Sequence, residues 1–153
     1  MISKQKKIGL VGVGRMGANM ARNLNDKGYQ ISCVNDLNKD IARALAEELD
    51  CIHANTLAEV TAMSDIILTV VTNDTAMETI FFDSNDNLFR EASGKLFINC
   101  ATLSPAMHIK LEQKATEVNA QTLEGCMASS ITQAREGTLY LMIGGKHEVF
   151  ESA

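Results

Sequence analysis

Gly12-Val13-Gly14-Arg15-Met16-Gly17 decides the fold, because an apolar run precedes it and a helical pattern follows it. Ile8, Leu10, Val11 and Val13 read as a short buried strand, so the hexapeptide is a strand–turn–helix junction. Gly12 permits a tight turn, Gly14 lets the backbone approach a ligand, and Gly17 lets the helix pack close to the strand. The free N–H groups and the positive dipole end of the helix that starts there attract anions, which places a pyrophosphate at this turn. Glycine-rich turns are common, so the context has to carry this reading. Met20, Ala21 and Leu24 recur at helical spacing, and Gly28 supplies the stop. Gln30–Asn35 then alternates as a strand and runs into Asp36, nineteen residues after Gly17. A carboxylate about 20 residues beyond the last glycine is placed to accept a ribose 2′-hydroxyl hydrogen bond. The alternative for Asp36 is a turn or cap residue before the next helix. The cofactor set read from this region is Gly12, Val13, Gly14, Arg15, Met16, Gly17, Asn35 and Asp36.

Outward from this junction the chain alternates strands with helices. Asn38 caps a helix carrying Ile41, Leu45 and Leu49; a short strand spans Cys51–His53, and Thr56 caps a helix through Leu57, Val60 and Met63. His53 has no partner in sequence and reads as structural. Ser64–Val71 is the strongest strand, apolar enough to lie centrally in a parallel sheet. The segment leaving its carboxyl end, Val71, Thr72 and Asn73, faces the ligand crevice of such a sheet. A helix from Thr75 to Phe81 and a turn at Asp83–Asn87, read as mobile, precede a strand at Lys95–Asn99. Ser104 and Pro105 open a helix through Met107, Leu111, Ala115 and Val118. Gln121–Gly125 reads as a sixth strand with Cys126–Ser130 as its exit loop. Ala134–Gly137 closes a short helical turn, and Leu139–Ile143 is a seventh strand ended by Gly144 and Gly145. The fold expected is a single α/β domain over residues 1–153, a Rossmann-type doubly wound, mostly parallel sheet with its crevice between the first and fourth strands.

Composition narrows the classes. The 153 residues, 46% hydrophobic and 22% charged, suit one globular domain without repeats or linkers. A net charge of −5 argues against nucleic-acid and membrane-surface partners. Lys4, Lys6 and Lys7 read as a solvated tail, and the glycines and Arg15 spoil any export signal. Ile66–Val71 is too short to span a bilayer. Cys33, Cys51, Cys100 and Cys126 show no CxxC or His-paired spacing, so reduced thiols in a cytoplasmic protein, without a metal, are expected. Cys100 and Cys126, near strand ends, read as packing residues.

Gly12 through Leu24 resembles the opening signature of the β-hydroxyacid dehydrogenases, the family of 3-hydroxyisobutyrate dehydrogenase, tartronate semialdehyde reductase and phosphogluconate dehydrogenase. Asn99–Pro105 is similar to the family's D-x-S-T-x-x-P segment, and the likeness continues through Ala134–Leu139 and Met142–Gly145. The resemblance implies hydride transfer between a nicotinamide cofactor and a small β-hydroxy acid or its semialdehyde. It assigns roles to the glycine turn, Asp36, Val71, Thr72, Asn73 and Thr102. NADP-preferring relatives commonly carry Arg at or beside position 36, whereas a carboxylate repels a 2′-phosphate, so NAD is favoured over NADP.

The departures matter as well. Glu124-Gly125-Cys126-Met127-Ala128-Ser129-Ser130 stands where the family has D-A-P-V-S-G-G, which aligns the substrate-contacting serine with Ala128. Ser129 and Ser130 offer hydroxyls nearby, so Thr102, Ala128, Ser129 and Ser130 form the candidate substrate set, while Asn99 and Ala101 replace the usual Asp and Ser. The family's catalytic lysine and companion asparagine, and its all-helical second domain, correspond to sequence beyond Ala153. No catalytic residue is therefore expected within these residues, and Lys146 reads as a surface side chain. Apolar surface where a second domain packs would favour self-association into a homo-oligomer. A non-catalytic dinucleotide-binding sensor or scaffold is the alternative, and an imine reductase relative shares the fold with less support.

Overall fold

The computed structural model describes residues 5–153. Seven strands, β1 (Lys7–Val11), β2 (Gln30–Asn35), β3 (Ile52–His53), β4 (Ile66–Thr69), β5 (Leu96–Asn99), β6 (Gln121–Met127) and β7 (Leu141–Gly145), form one sheet in the order β3-β2-β1-β4-β5-β6-β7. All neighbours are parallel except β6 and β7, which are antiparallel. The chain winds outward from β1 to β3, then returns to β4 on the other side of β1. The order therefore reverses between β1 and β4, and a crevice opens outside their carboxyl ends.

Helices cover both faces. Those following β1 and β2, α1 (Arg15–Asp26) and α2 (Lys39–Glu48), together with α6 (Ile131–Glu136), pack on Ile8, Leu10, Val34 and Leu68. The other face carries α3 (Leu57–Met63), α4 (Asp74–Phe82) and α5 (Pro105–Glu117), which pack on Val11, Cys33, Ile67 and Phe97. Leu10 and Ile67 are fully buried on opposite faces, which is why these strands read as unbroken apolar runs. Phe81, Phe89 and Phe97 pack tilted or edge-to-face, with centroids 4.7–5.6 Å apart, in the core of the second face.

Several boundaries differ from the sequence expectation. Lys7 opens β1 and donates its N–H to Asp65 at 2.9 Å, so it is not part of a tail; Lys4 lies outside the described residues. Pairing with β7 carries β6 on to Met127, and β7 takes in Gly144 and Gly145 because they pair with Glu124 and Leu123. The helix expected at Ala134–Gly137 begins at Ile131, where Ser130 and Gln133 form a capping box, and Gly137 ends it at φ +73°. A final helix, α7 (His147–Ser152), follows Lys146, which is exposed. The Asp83–Asn87 turn is fastened: Asp83 accepts from the N–H groups of Asn85 and Asp86, and Asp86 accepts from those of Leu57 and Ala58 at the start of α3.

Candidate functional site

Two glycines of the first turn, Gly12 and Gly17, are required by the backbone, each for a different reason. Gly12 sits at φ +87°, and a Cβ there would collide with the Val70 carbonyl oxygen. A Cβ on Gly17 would strike the Gly12 carbonyl oxygen, so this glycine sets how closely α1 approaches the turn. Gly14 has no atom within 4 Å of its would-be Cβ. Space beside Gly14 is therefore open, on the side where a bound group would lie. Gly14 is also the N-cap of α1 and provides no side-chain cap, and no acidic residue follows in the first turn. The leading N–H groups of this twelve-residue helix have no carboxylate competing with an anion.

Asp36 follows β2 and is half-buried. One carboxylate oxygen accepts from the Val13 N–H at 2.8 Å, and the other accepts from the Asn38 N–H at 2.8 Å. The carboxylate thus ties the glycine turn to the start of α2. Each oxygen keeps a second acceptor site, so this tether is compatible with accepting a further hydroxyl. These two bonds give Asp36 the turn role that the sequence offered as the alternative to a ribose acceptor.

Val11, Gly12, Asn35, Asp36, Val71 and Thr72 line one cavity of about 420 Å³ at the carboxyl ends of β1, β2 and β4. That volume falls in the ~300–1,000 Å³ range of small-molecule sites. Lys39, Asn55 and Asp86 line it too, and the sequence reading missed them. Asn55 follows β3, which has only two residues and hides its carboxyl end from pattern reading. Lys39 opens α2, and nothing in the periodicity distinguishes it from a solvated lysine.

Of the residues read from the sequence, Val13, Gly14, Arg15, Met16 and Gly17 of the turn do not line this cavity, nor do Asn73, Thr102, Ala128, Ser129 and Ser130. Asn73 caps α4 by accepting from the Ala76 N–H at 2.9 Å. Thr102 is exposed on the loop leaving β5. That loop is clamped to α4, since Asp74 accepts from both the N–H and the hydroxyl of Ser104. These two hydrogen bonds hold the Asp74 carboxyl below the usual carboxylate range. The Cys126 sulfur lies 3.5 Å from the Ala101 carbonyl oxygen, which sets the end of β6 beside the same loop. Ala128 is exposed there. The neighbouring hydroxyls serve the backbone: Ser129 Oγ accepts from the Tyr140 N–H at 2.8 Å, and Ser130 Oγ caps α6.

Residues 7–153 match the sequence family described as the NAD binding domain of 6-phosphogluconate dehydrogenase. The chain belongs to this family. The NAD-binding domain is 30% identical over 148 residues to 2-hydroxy-3-oxopropionate reductase of Escherichia coli, covering 95% of this chain and 49% of that protein. It is 31% identical over 142 residues to the mitochondrial 3-hydroxyisobutyrate dehydrogenase of Drosophila melanogaster, covering 92% of this chain and 42% of that protein. Among solved structures, a Mycobacterium tuberculosis 3-hydroxyisobutyrate dehydrogenase with L-serine superposes with a TM-score of 0.86 at 22% identity, covering 95% of this chain and 48% of that one. An imine reductase variant from Myxococcus stipitatus in complex with NAD+ also gives 0.86, at 24% identity, over 96% of this chain and 49% of that one. At those identities the superpositions establish the fold. The NAD-binding domain spans about half the length of the curated relatives it matches. Among its described residues no helix is long and apolar enough to cross a membrane.

Proposed function

We propose that this domain is the cofactor-holding half of an NAD-dependent β-hydroxyacid dehydrogenase. The observation that carries the reading is the Asp36 carboxylate, which lines the cavity and accepts from the Val13 N–H of the glycine turn, next in the chain to the open space at Gly14 and the uncapped start of α1. In this reading the N–H groups of α1 hold the pyrophosphate, with Arg15 and Met16 in the first turn. Asp36 accepts from the adenosine ribose, and Val71, Thr72 and Asn73 border the path toward the nicotinamide. The nicotinamide, when bound, supplies the hydride. Asp36 repels a 2′-phosphate and favours NAD, while Lys39 in the same cavity lessens that preference without reversing it.

Thr102 and the Ala128–Ser130 loop border the substrate side. Ser129 and Ser130 hold their local backbone, so Ala128 leaves this edge without a free hydroxyl from that loop. A substrate whose carboxylate is bound differently from that of the common small hydroxy acids fits this arrangement. Proton delivery, worth roughly 10²–10⁴-fold in rate, comes from a lysine-bearing segment outside these residues. Its helical domain covers the exposed β7 surface of Tyr140, Leu141, Met142 and Ile143, or a second copy does so in a homo-oligomer. A cytoplasmic setting suits the four unpaired thiols. The test is NADH oxidation with a panel of small semialdehydes, comparing residues 1–153 with a product extended through a lysine-bearing helical segment. Turnover by the longer product alone supports the reading; robust turnover by residues 1–153 overturns it.

A further inference from the structure

The segment that departs from the family pattern carries a second constellation, unconnected with the dinucleotide. Glu124 and Cys126 are alternate residues of β6, so they point to the same face of the sheet. The first turn of α5 lies on that face and brings His108 against them. A Glu124 carboxylate oxygen accepts from the Cys126 thiol at 3.1 Å and lies 3.3 Å from His108 Nε2. That nitrogen is buried and makes no aligned hydrogen bond, although the imidazole is only 12% exposed. Nitrogen, oxygen and sulfur all fall within 4.8 Å of one another.

These dimensions are close to those of a metal site. Ligands at ~2.0–2.3 Å from a tetrahedral ion stand about 3.3–3.8 Å apart, so two of the three edges are already near closure. Gly144 lies opposite Glu124 on β7, and a Cβ there would press on the Glu124 carboxylate at 3.0 Å. Beyond the trio, Asn99, Thr122, Gly144 and Gly145 border a cavity of about 220 Å³ that also touches His108 and Glu124, with room for a water as fourth ligand.

We propose that His108, Glu124 and Cys126 bind a borderline-soft divalent ion, zinc foremost, through one imidazole nitrogen, one carboxylate oxygen and one thiolate, with water in the fourth position. The donor set selects the ion: thiolate and imidazole disfavour magnesium and calcium, and a mixed N, O, S tetrahedron suits zinc. Coordination exchanges the thiol proton, now shared with Glu124, for the ion and releases it to solvent. The ion would tie β6 to α5.

The sequence hides this site because its ligands are sixteen and two residues apart on a helix and a strand, with no zinc-finger spacing. Cobalt(II) is the probe. The metal-free protein titrated with Co²⁺ is expected to bind one ion per chain with a sulfur-to-cobalt charge-transfer band. Zinc should displace the cobalt and abolish the band. Cys126→Ala should lose the band while Cys51→Ala keeps it, and His108→Gln should weaken Co²⁺ binding at least about tenfold. Urea midpoints near the parent value show that the variants fold; a variant that does not is replaced by Glu124→Gln, which is expected to weaken binding in the same way. Absence of the band, its survival in folded Cys126→Ala, or unchanged affinity in folded His108→Gln overturns the site.

Discussion

Substituting alanine separately at Gly12 and Gly14 should divide stability from cofactor binding. At Gly12 the new Cβ meets the Val70 carbonyl oxygen, and the residue must hold φ +87°. The left-handed conformation costs roughly 1–2 kcal/mol for an L-residue, and forcing a methyl into packed backbone adds typically about 1–3 kcal/mol. Gly12→Ala should therefore lose about 2–5 kcal/mol. At Gly14 the backbone lies at φ −63° and ψ −163°, which alanine adopts without strain, and no atom stands within 4 Å. Gly14→Ala should change stability by less than ~1 kcal/mol in either direction, because alanine restricts the unfolded chain but is a poorer N-cap than glycine. The same methyl occupies the space assigned to the pyrophosphate, so NADH affinity should drop by at least about tenfold, a change of ~1.4 kcal/mol. Urea unfolding followed by circular dichroism measures the first quantity, and NADH fluorescence titration the second. Undiminished NADH affinity in folded Gly14→Ala, or a destabilisation there as large as at Gly12, would refute the reasoning.

Asp36→Ala should weaken NADH binding by about 1–2 kcal/mol and narrow the difference from NADPH, measured by titrating both; a widened NADH preference would contradict its role. Ser130→Ala removes the capping box of α6 and should cost about 1 kcal/mol in urea unfolding, with α6 amides exchanging faster than those of α2. Burial pushes the Cys51 thiol up to about 11 and the Cys100 thiol up to about 12. Their folded values lie above an ordinary thiol's ~8.5, so their contribution is complete below that value and is lost as pH rises toward 11–12. Alkaline unfolding should set in at higher pH for Cys51→Ala and Cys100→Ala than for the parent, relative to each protein's neutral-pH stability.

The strands, and the crevice between the first and fourth, were legible because apolar runs such as Ile66–Val71 are written by burial on two faces, and because glycine and cap residues mark the turns. Gly12 and Gly17 have the turn and close-packing geometry expected of them. Ends set by pairing were not legible. Gly144 and Gly145 read as a stop, yet they continue β7 because Glu124 and Leu123 lie opposite them. Serines 129 and 130 looked like free hydroxyls, since sequence does not reveal that Tyr140 and Gln133 return to meet them. Asn55, Lys39 and the trio of His108, Glu124 and Cys126 depend on distant elements converging, which spacing along one chain does not encode.

The most direct test of the central claim is amide chemical-shift mapping of residues 1–153 during titration with NADH, repeated with NADPH. The account predicts saturable binding of one NADH per chain, with the largest shifts at Gly12, Val13, Gly14, Arg15, Met16 and Gly17, then at Asn35, Asp36, Val71 and Thr72, and weaker binding of NADPH. Shifts centred away from the carboxyl ends of β1, β2 and β4, or no saturable NADH binding, would contradict it.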